Sequence, residues 1–403
     1  MKVLFKNKDE LLYLTTKKSF LALLVATTFL TGCQETSNST NDSLEVDASI
    51  TSDSNIPSET QFDSAPEASL VAKFEGQVKD SVTGEGIENV QVSVGDAVTT
   101  TDANGNYALF DVNTTIRAVV TFQHQSYFHN SAVIQADEFA EGTDMLSSNY
   151  LEYELAPNEQ QAPYYSQEST VLDLANSASI ALPAAVYNDL SGNQYVGEVI
   201  PNVAYLDPTT DSGKATFPGL FEGKDSSGNI ALFGSYGLIT ATLEDVNGNA
   251  LSLTDGAMAT LTFPAIASLK EENIIPLWYY DYNQGIWIEE GYAELQSDGT
   301  YQGNITHLGT WSLNMPLENA PGIYRGRIVY TDGITVKDAR VSAVGPNWVR
   351  SDLSTDADGF FQIEVLPGDD FKLVAYNYKW NYEVQSNSVI PAISSDEIVE
   401  DRL

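Results

Sequence analysis

The sequence predicts an all-β protein built from short antiparallel strands. Three observations carry this. Apolar residues recur with a period of two, as in Val90, Val92 and Val94 or Ala118, Val120 and Phe122, which is the alternation of half-buried strands. Turn signals built on Asp, Asn and Gly return about every ten residues, the spacing of a sandwich rather than of strand-helix units. No amphipathic helix of ordinary length interrupts them.

Taken in order, the chain opens with a segment of a different kind. Lys17 and Lys18 precede the uncharged apolar run Phe20 to Leu30, which ends in Leu30-Thr31-Gly32-Cys33. A basic region, a short apolar run and a small pair before a cysteine are the parts of an export signal, and the run is too short to span a bilayer. Lys2, Lys6, Lys8, Asp9 and Glu10 upstream make the basic region unusually long, so translation is expected to start nearer Lys17. This arrangement resembles the lipobox of bacterial lipoproteins. The resemblance implies that residues 1–32 are a removable signal peptide and that Cys33 carries the lipid. It also implies attachment to the outer membrane, because Gln34 stands where an aspartate marks inner-membrane retention.

Residues 33–70 are rich in Ser, Thr, Asn, Asp and Glu and have no period. They are expected to form a disordered tether, since such a segment cannot bury enough apolar surface to offset its ordering entropy.

From residue 71 to 157 the strand pattern takes over, punctuated by Thr101-Asp102-Ala103-Asn104-Gly105-Asn106-Tyr107. Asp102 is placed to cap the turn and Gly105 to take positive φ. The pattern returns over 317–403. Gly76 corresponds to Gly326, Val90-Gln91-Val92-Ser93 to Ala339-Arg340-Val341-Ser342, and the turn to Thr355-Asp356-Ala357-Asp358-Gly359-Phe360-Phe361. Leu151-Glu152-Tyr153-Glu154-Leu155 is answered by Val399-Glu400-Asp401-Arg402-Leu403. Order and spacing agree within a few residues, so this is an internal repeat. Each copy resembles a carboxypeptidase regulatory-like domain, which implies a seven-stranded prealbumin-like, Ig-like sandwich. Leu366-Pro367-Gly368 extends the match in the second copy, where the first has Asp111-Val112-Asn113.

The central unit, 158–316, differs. It holds the strand Gly237 to Leu243, an Asn-Gly hairpin turn over 244–249, and an aromatic run Leu277-Trp278-Tyr279-Tyr280-Asp281 followed by Gly285-Ile286-Trp287. It closes on Gly303-Asn304-Ile305-Thr306-His307-Leu308-Gly309-Thr310-Trp311. These elements are similar to a domain that follows regulatory-like modules in bacterial surface lipoproteins, and to a segment of the cartilage intermediate layer protein family. The resemblance names no ligand.

Charge narrows the partners. With 56 Asp and Glu against 19 Lys and Arg, the net charge is -37, so nucleic acid and anionic membrane surfaces are repelled. Cys33 is the only cysteine, so no disulfide forms within the chain and the cores must be apolar.

Candidate chemistry is sparse. The three histidines, His124, His129 and His307, show no zinc-peptidase spacing, and His124 and His129 are expected on opposite faces of one strand. Gly234-Ser235-Tyr236-Gly237 is one residue short of a nucleophile elbow. Glu289 and Glu290 are adjacent on a strand and face apart. An approach of His307 to Asp281 would favour an enzyme. Trp278 and Trp287 are expected in a cross-strand aromatic core. In the second repeat, Trp348, Tyr378, Trp380 and Tyr382 are candidates for stacking on a ligand. Asp102, Asp356 and Asp358 resemble the start of a calcium loop but lack the distal Glu, so tight turns are expected and calcium is not favoured; no cofactor is expected. The sequence thus points to a non-catalytic surface lipoprotein that binds a glycan or a surface protein or acts as a scaffold. The alternative is an enzyme or accessory module acting on extracellular polysaccharide or cell wall, with its site in residues 160–316.

Overall fold

The computed structural model describes residues 2–6, 11–15, 69–136, 149–159, 161–330, 334–337, 339–377, 382–385 and 389–400. The apolar run Phe20 to Leu30, Cys33 and residues 33–68 of the tether lie outside them, while Ser69 and Leu70, expected in the tether, begin the first strand of the sandwich. Upstream of that run, β1 (Lys2–Lys6) and β2 (Leu11–Thr15) form an antiparallel hairpin.

The first repeat contains β3 (Ser69–Asp80), β4 (Gln91–Val94), β5 (Ala97–Thr100), β6 (Asn106–Thr115), β7 (Arg117–His124), β8 (Tyr127–Gln135) and β9 (Tyr150–Leu155). They form a four-stranded sheet, β5-β4-β7-β8, and a three-stranded sheet, β6-β3-β9, in which β3 and β9 run parallel. The inward faces supply the core: Phe74, Val78, Val90, Val92, Val120, Phe122 and Leu155 are fully buried.

The central unit runs from β10 (Tyr164–Tyr165), β11 (Thr170–Asp173), β12 (Ser179–Leu182), β13 (Tyr187–Asn188) and β14 (Glu198–Leu206) to the five-residue helix α1 (Asp211–Ala215). It continues through β15 (Glu222–Lys224), β16 (Ile230–Glu244), β17 (Ala250–Leu253), β18 (Ala259–Pro264), β19 (Ile274–Asp281), β20 (Ile286–Leu295), β21 (Thr300–Ile305) and β22 (Gly309–Pro316). All thirteen strands belong to one sheet, whose main path is β10-β14-β16-β22-β19-β20-β21-β18-β12-β11. The aromatic run is core, as the strand-face argument requires. Tyr280 pairs with Trp287 across β19 and β20, with an irregularity between Pro276 and Trp278, and Trp278 and Trp287 have no exposed surface. Their indole N–H groups donate to the carbonyls of Asn314 and Pro218, each at 3.0 Å, so burial leaves neither donor unpaired.

The second repeat reproduces the first strand for strand: β23 (Gly322–Tyr330), β24 (Arg340–Val344), β25 (Val349–Ser354), β26 (Phe360–Val365), β27 (Lys372–Asn377), β28 (Tyr382–Gln385) and β29 (Ile398–Glu400). The orders are β25-β24-β27-β28 and β26-β23-β29, and β23 and β29 are again parallel. Two seven-stranded sandwiches therefore flank the central sheet. The N-terminal hairpin extends the second one, with Leu12, Tyr13 and Leu14 opposite Tyr330, Val329 and Ile328.

The marks that revealed the repeat turn out to be parts of one contact. Gly76 faces Tyr107 and Gly326 faces Phe361. A side chain on Gly76 would lie 1.8 Å from the Leu151 carbonyl, and one on Gly326 would lie 2.7 Å from the Phe361 ring. The threonine of each turn is buried and braces a neighbouring loop. Thr101 Oγ1 donates to the Ile87 carbonyl at 2.6 Å and accepts from the Val90 amide, and Thr355 Oγ1 donates to the Val336 carbonyl at 2.6 Å and accepts from the Ala339 amide.

Trp287→Ala would remove a fully enclosed indole from among Phe217, Phe233 and Tyr280. It is expected to cost about 3 to 5 kcal/mol, read from the denaturant midpoint of the full chain.

Candidate functional site

The three units are joined by specific side chains. Between the first sandwich and the central unit, Arg117 Nη1 and Nη2 donate to the carbonyls of Gln284 and Gly285 at 2.7 and 2.8 Å. Asn130 Nδ2 donates to the Thr216 carbonyl, Ser131 Oγ and Tyr280 OH share a hydrogen bond of 2.7 Å, and the His129 ring stacks on Tyr282 with centroids 4.1 Å apart. Between the central unit and the second sandwich the apolar core is continuous. Phe217, Phe221, Phe233, Trp278 and Trp287 belong to the same buried cluster as Tyr324, Trp348, Ile363 and Phe371. Across that seam Asn347 Nδ2 donates to the Ser235 carbonyl and receives the Ser235 amide on its own carbonyl. The buried Arg350 reaches Glu222 at 3.2 Å and Glu364 at 3.9 Å.

Where all three units meet there is a cleft of about 290 Å³. Strands β8 and β9 supply Ile134, Glu152 and Tyr153, the α1 region supplies Lys214 and Phe217, and β24 supplies Arg340 and Ser342. Helix α1 exists to the extent that its first turn is capped: Thr210 Oγ1 accepts the Gly213 amide at 2.9 Å, with Asp211 in the first turn and Lys214 in the last, the charge order a helix dipole favours. Lys214 Nζ donates to the Gly345 carbonyl at 3.3 Å and lies 3.8 Å from Asp211. Burial pulls its ammonium below the usual lysine range, and nearby Lys372 adds to the shift. Glu152, which also lines the cleft, holds Lys79 at 2.6 Å.

Sequence reasoning missed this cleft, because its residues are scattered over three units. Two signals were nonetheless present. The capped Thr210-Asp211-Ser212-Gly213-Lys214 is one, and the replacement of exposed Gln91 in the first repeat by buried Arg340 in the second is the other.

The residues singled out from sequence fall elsewhere. Trp348 is not available for stacking: it is fully buried, and its Nε1 donates to Asp369 Oδ2 at 2.9 Å. The cover over this loop position comes from Asp369 and Phe371, which follow β26 and are distant from Trp348 in sequence. Tyr378 and Trp380 lie outside the described residues, and Tyr382 is known as the β28 residue opposite Asn377. Asp102 Oδ1 accepts the amides of Asn104 and Asn106, and Asp356 Oδ1 those of Asp358 and Phe360. These hydrogen bonds hold the Asp102 carboxyl below its usual range. The Asp358 carbonyl accepts from Arg327 Nε. The same turn recurs in the central unit at Asp189, Asp225 and Asp245, each followed three residues later by a glycine. The 244–249 hairpin is therefore an Asp-capped five-residue turn, in which the Asp245 amide donates to the Asn249 carbonyl and Asp245 Oδ1 accepts the Asn249 amide, with Gly248 at φ 80°.

His124 and His129 are not on one strand but on β7 and β8, separated by the turn between them. His124 Nδ1 accepts the Ser126 amide. His307 lies against Tyr279 and Trp311 and meets Glu290 at 3.6 Å, while Asp281 caps its own turn through the amides of Asn283 and Gln284. Glu289 faces away and accepts the Ser226 amide. Ser235 is buried against Ser312 at 2.9 Å. Among the described residues no three His, Cys, Asp or Glu side chains converge as metal ligands would.

No family model matches the sequence, and no curated protein matches it. Three solved structures illustrate the structural likenesses found. A protein of unknown function from Bacteroides fragilis, described as membrane-associated, is 9% identical over 62% of this chain and 98% of its own, with a TM-score of 0.18. The major pilin subunit of Bacillus cereus is 10% identical over 82% of this chain and 97% of its own, with a TM-score of 0.16. The Bacillus anthracis TIE protein is 10% identical over 83% of this chain and 50% of its own, also at 0.16. Scores this low assign no function to the chain.

The seams give two predictions. Burial pushes the His129 imidazole down to about 4 from its ordinary 6.5. The unfolded chain takes up the proton first as the pH falls. The stability carried by neutral His129 is therefore whole above about pH 6.5 and is lost toward pH 4. His129→Gln should flatten the melting curve's dependence on pH across that window. Arg350→Met should leave Glu222 and Glu364 buried without their cation and cost about 3 to 5 kcal/mol, measured by equilibrium unfolding.

Proposed function

We propose that the chain is a lipid-anchored, non-catalytic protein of the outer membrane, whose three β units form a binding scaffold held off the bilayer by the segment after Cys33. Its repeats are of the carboxypeptidase regulatory-like kind, and its ligand is a glycan or a surface protein. Nucleic acid is not a partner, given a net charge of -37.

The observation that carries the non-catalytic reading is the use to which reactive side chains are put. Asp102, Asp281 and Asp356 cap turns, Ser235 and Trp348 are enclosed in the core, and the His307–Glu290 contact is taken up locally, by the Thr306 hydroxyl donating to Glu290 at 3.1 Å and by His307 Nδ1 meeting the Leu308 carbonyl at 3.1 Å. A catalytic centre needs a nucleophile or base in hydrogen-bond reach of an orienting group, around a point where substrate can sit. The anchoring reading rests on Leu30-Thr31-Gly32-Cys33.

Metabolic labelling with a fatty-acid analogue should mark the wild type and not Cys33→Ser, and the labelled protein should fractionate with outer membranes. Equal labelling of both would overturn the anchor. A chelator should move the melting temperature by less than about 5 °C, roughly 1 kcal/mol for a domain of this size, since the scaffold needs no metal.

A further inference from the structure

We propose that the cleft at the three-unit junction binds a sugar-sized hydroxy acid, a hexuronate being its simplest form. This names the ligand class for the binding role proposed above and rests on that role. Five of the 19 Lys and Arg precede Cys33, so cations are scarce in the rest of the chain. Yet Lys214 and Arg340 both line this one cleft, and Lys372 adds its charge to the field at Lys214. In a chain with 56 carboxylates, concentrated positive charge at a concave site selects an anion.

The rest of the lining restricts the anion further. Glu152, paired with Lys79 at 2.6 Å, also lines the cleft, and Ser342 lies two residues from Arg340 on β24. A carboxylate would repel a bare inorganic anion but accept hydrogen bonds from hydroxyl groups, and the serine hydroxyl can donate or accept. The ligand therefore carries hydroxyls as well as its negative charge. Ile134, Phe217 and Val374 also line the cleft and suit the apolar C–H face of a pyranose ring. The volume of about 290 Å³ is near the lower end of ligand pockets, about 300 Å³, and suits one ring rather than a chain of them. An anion in the cleft would add to the pairing that Asp211, 3.8 Å away, gives an ammonium that burial has partly stripped of water.

Isothermal titration of the full chain in detergent micelles tests this with sodium glucuronate, glucose and inorganic phosphate as probes. Glucuronate should bind, and glucose and phosphate should bind at least about tenfold more weakly. Lys214→Met should weaken glucuronate by about tenfold or more while Lys214→Arg retains it. Ser342→Phe, which fills the cleft without removing a charge, should abolish binding with the fold intact by circular dichroism. Absence of glucuronate binding up to about 10 mM overturns the proposal. So does equal affinity for glucose, which would remove the role of the cations, or equal affinity for phosphate, which would remove that of Glu152 and Ser342. Fatty-acid labelling of the same preparations separates the two readings: labelled protein that ignores glucuronate refutes the cleft alone, and unlabelled protein that binds it refutes the anchor alone.

Discussion

The turn Thr-Asp-x-x-Gly-x-aromatic is the constraint on which both sandwiches depend. Each of the parts shared by the two copies closes a different gap. The aspartate satisfies two turn amides, and the glycine carbonyl accepts the amide of the first strand, Val78 or Ile328, at 2.8 Å. The glycine itself has no room for a side chain, since a Cβ would stand 2.3 Å from the Val78 carbonyl at Gly105 and 2.5 Å from the Ile328 carbonyl at Gly359. The aromatic then covers the strand glycine opposite, which would otherwise leave a hole in the pleated face. A single loop thus fixes the first strand, the buried threonine bridge and the register of β6 or β26 together.

The seams follow different chemistry on the two sides of the central unit. Toward the first sandwich the joint is led by directed polar contacts, the two Arg117 donors on backbone carbonyls first among them, beside a small apolar cluster of Phe128, Ala156 and Ala204. Toward the second it is a continuous apolar cluster with a buried charge group set into it. Apolar burial is non-directional and gives adhesion, while hydrogen bonds to fixed carbonyls give orientation. The cleft lies where the two kinds of joint meet.

Much of the fold was legible because it is local. Val90, Val92 and Val94 alternate as strands must, and the Asp-Gly turns carry their geometry in five residues. The repeat was visible because each copy has to solve the same packing problem. What remained hidden depends on contacts distant in sequence. Trp348 looked like a loop aromatic, and only the packing of Phe371 at 6.2 Å and the bond to Asp369 show it to be core. The histidines at 124 and 129 looked like neighbours on one strand until the hairpin placed them on two. The cleft was least legible of all: Glu152, Lys214 and Arg340 are far apart in the chain, and the capped turn before Lys214 and the change from Gln91 to Arg340 between the repeats do not say that the three residues meet.

The parallel pairing of β3 with β9 has a mechanical meaning. Residues Glu75 to Asp80 lie beside Tyr150 to Leu155 with both strands pointing the same way. The chain enters the sandwich at the start of β3 and leaves it for the central unit after the end of β9. A pull between those two points runs along the strands in opposite senses, so every hydrogen bond of the ladder is loaded at once in shear. Antiparallel neighbours pulled from one end would instead part bond by bond, like a zip. In this topology the first sandwich resists tension as a clasp between whatever holds its N-terminal side and whatever the rest of the molecule grips.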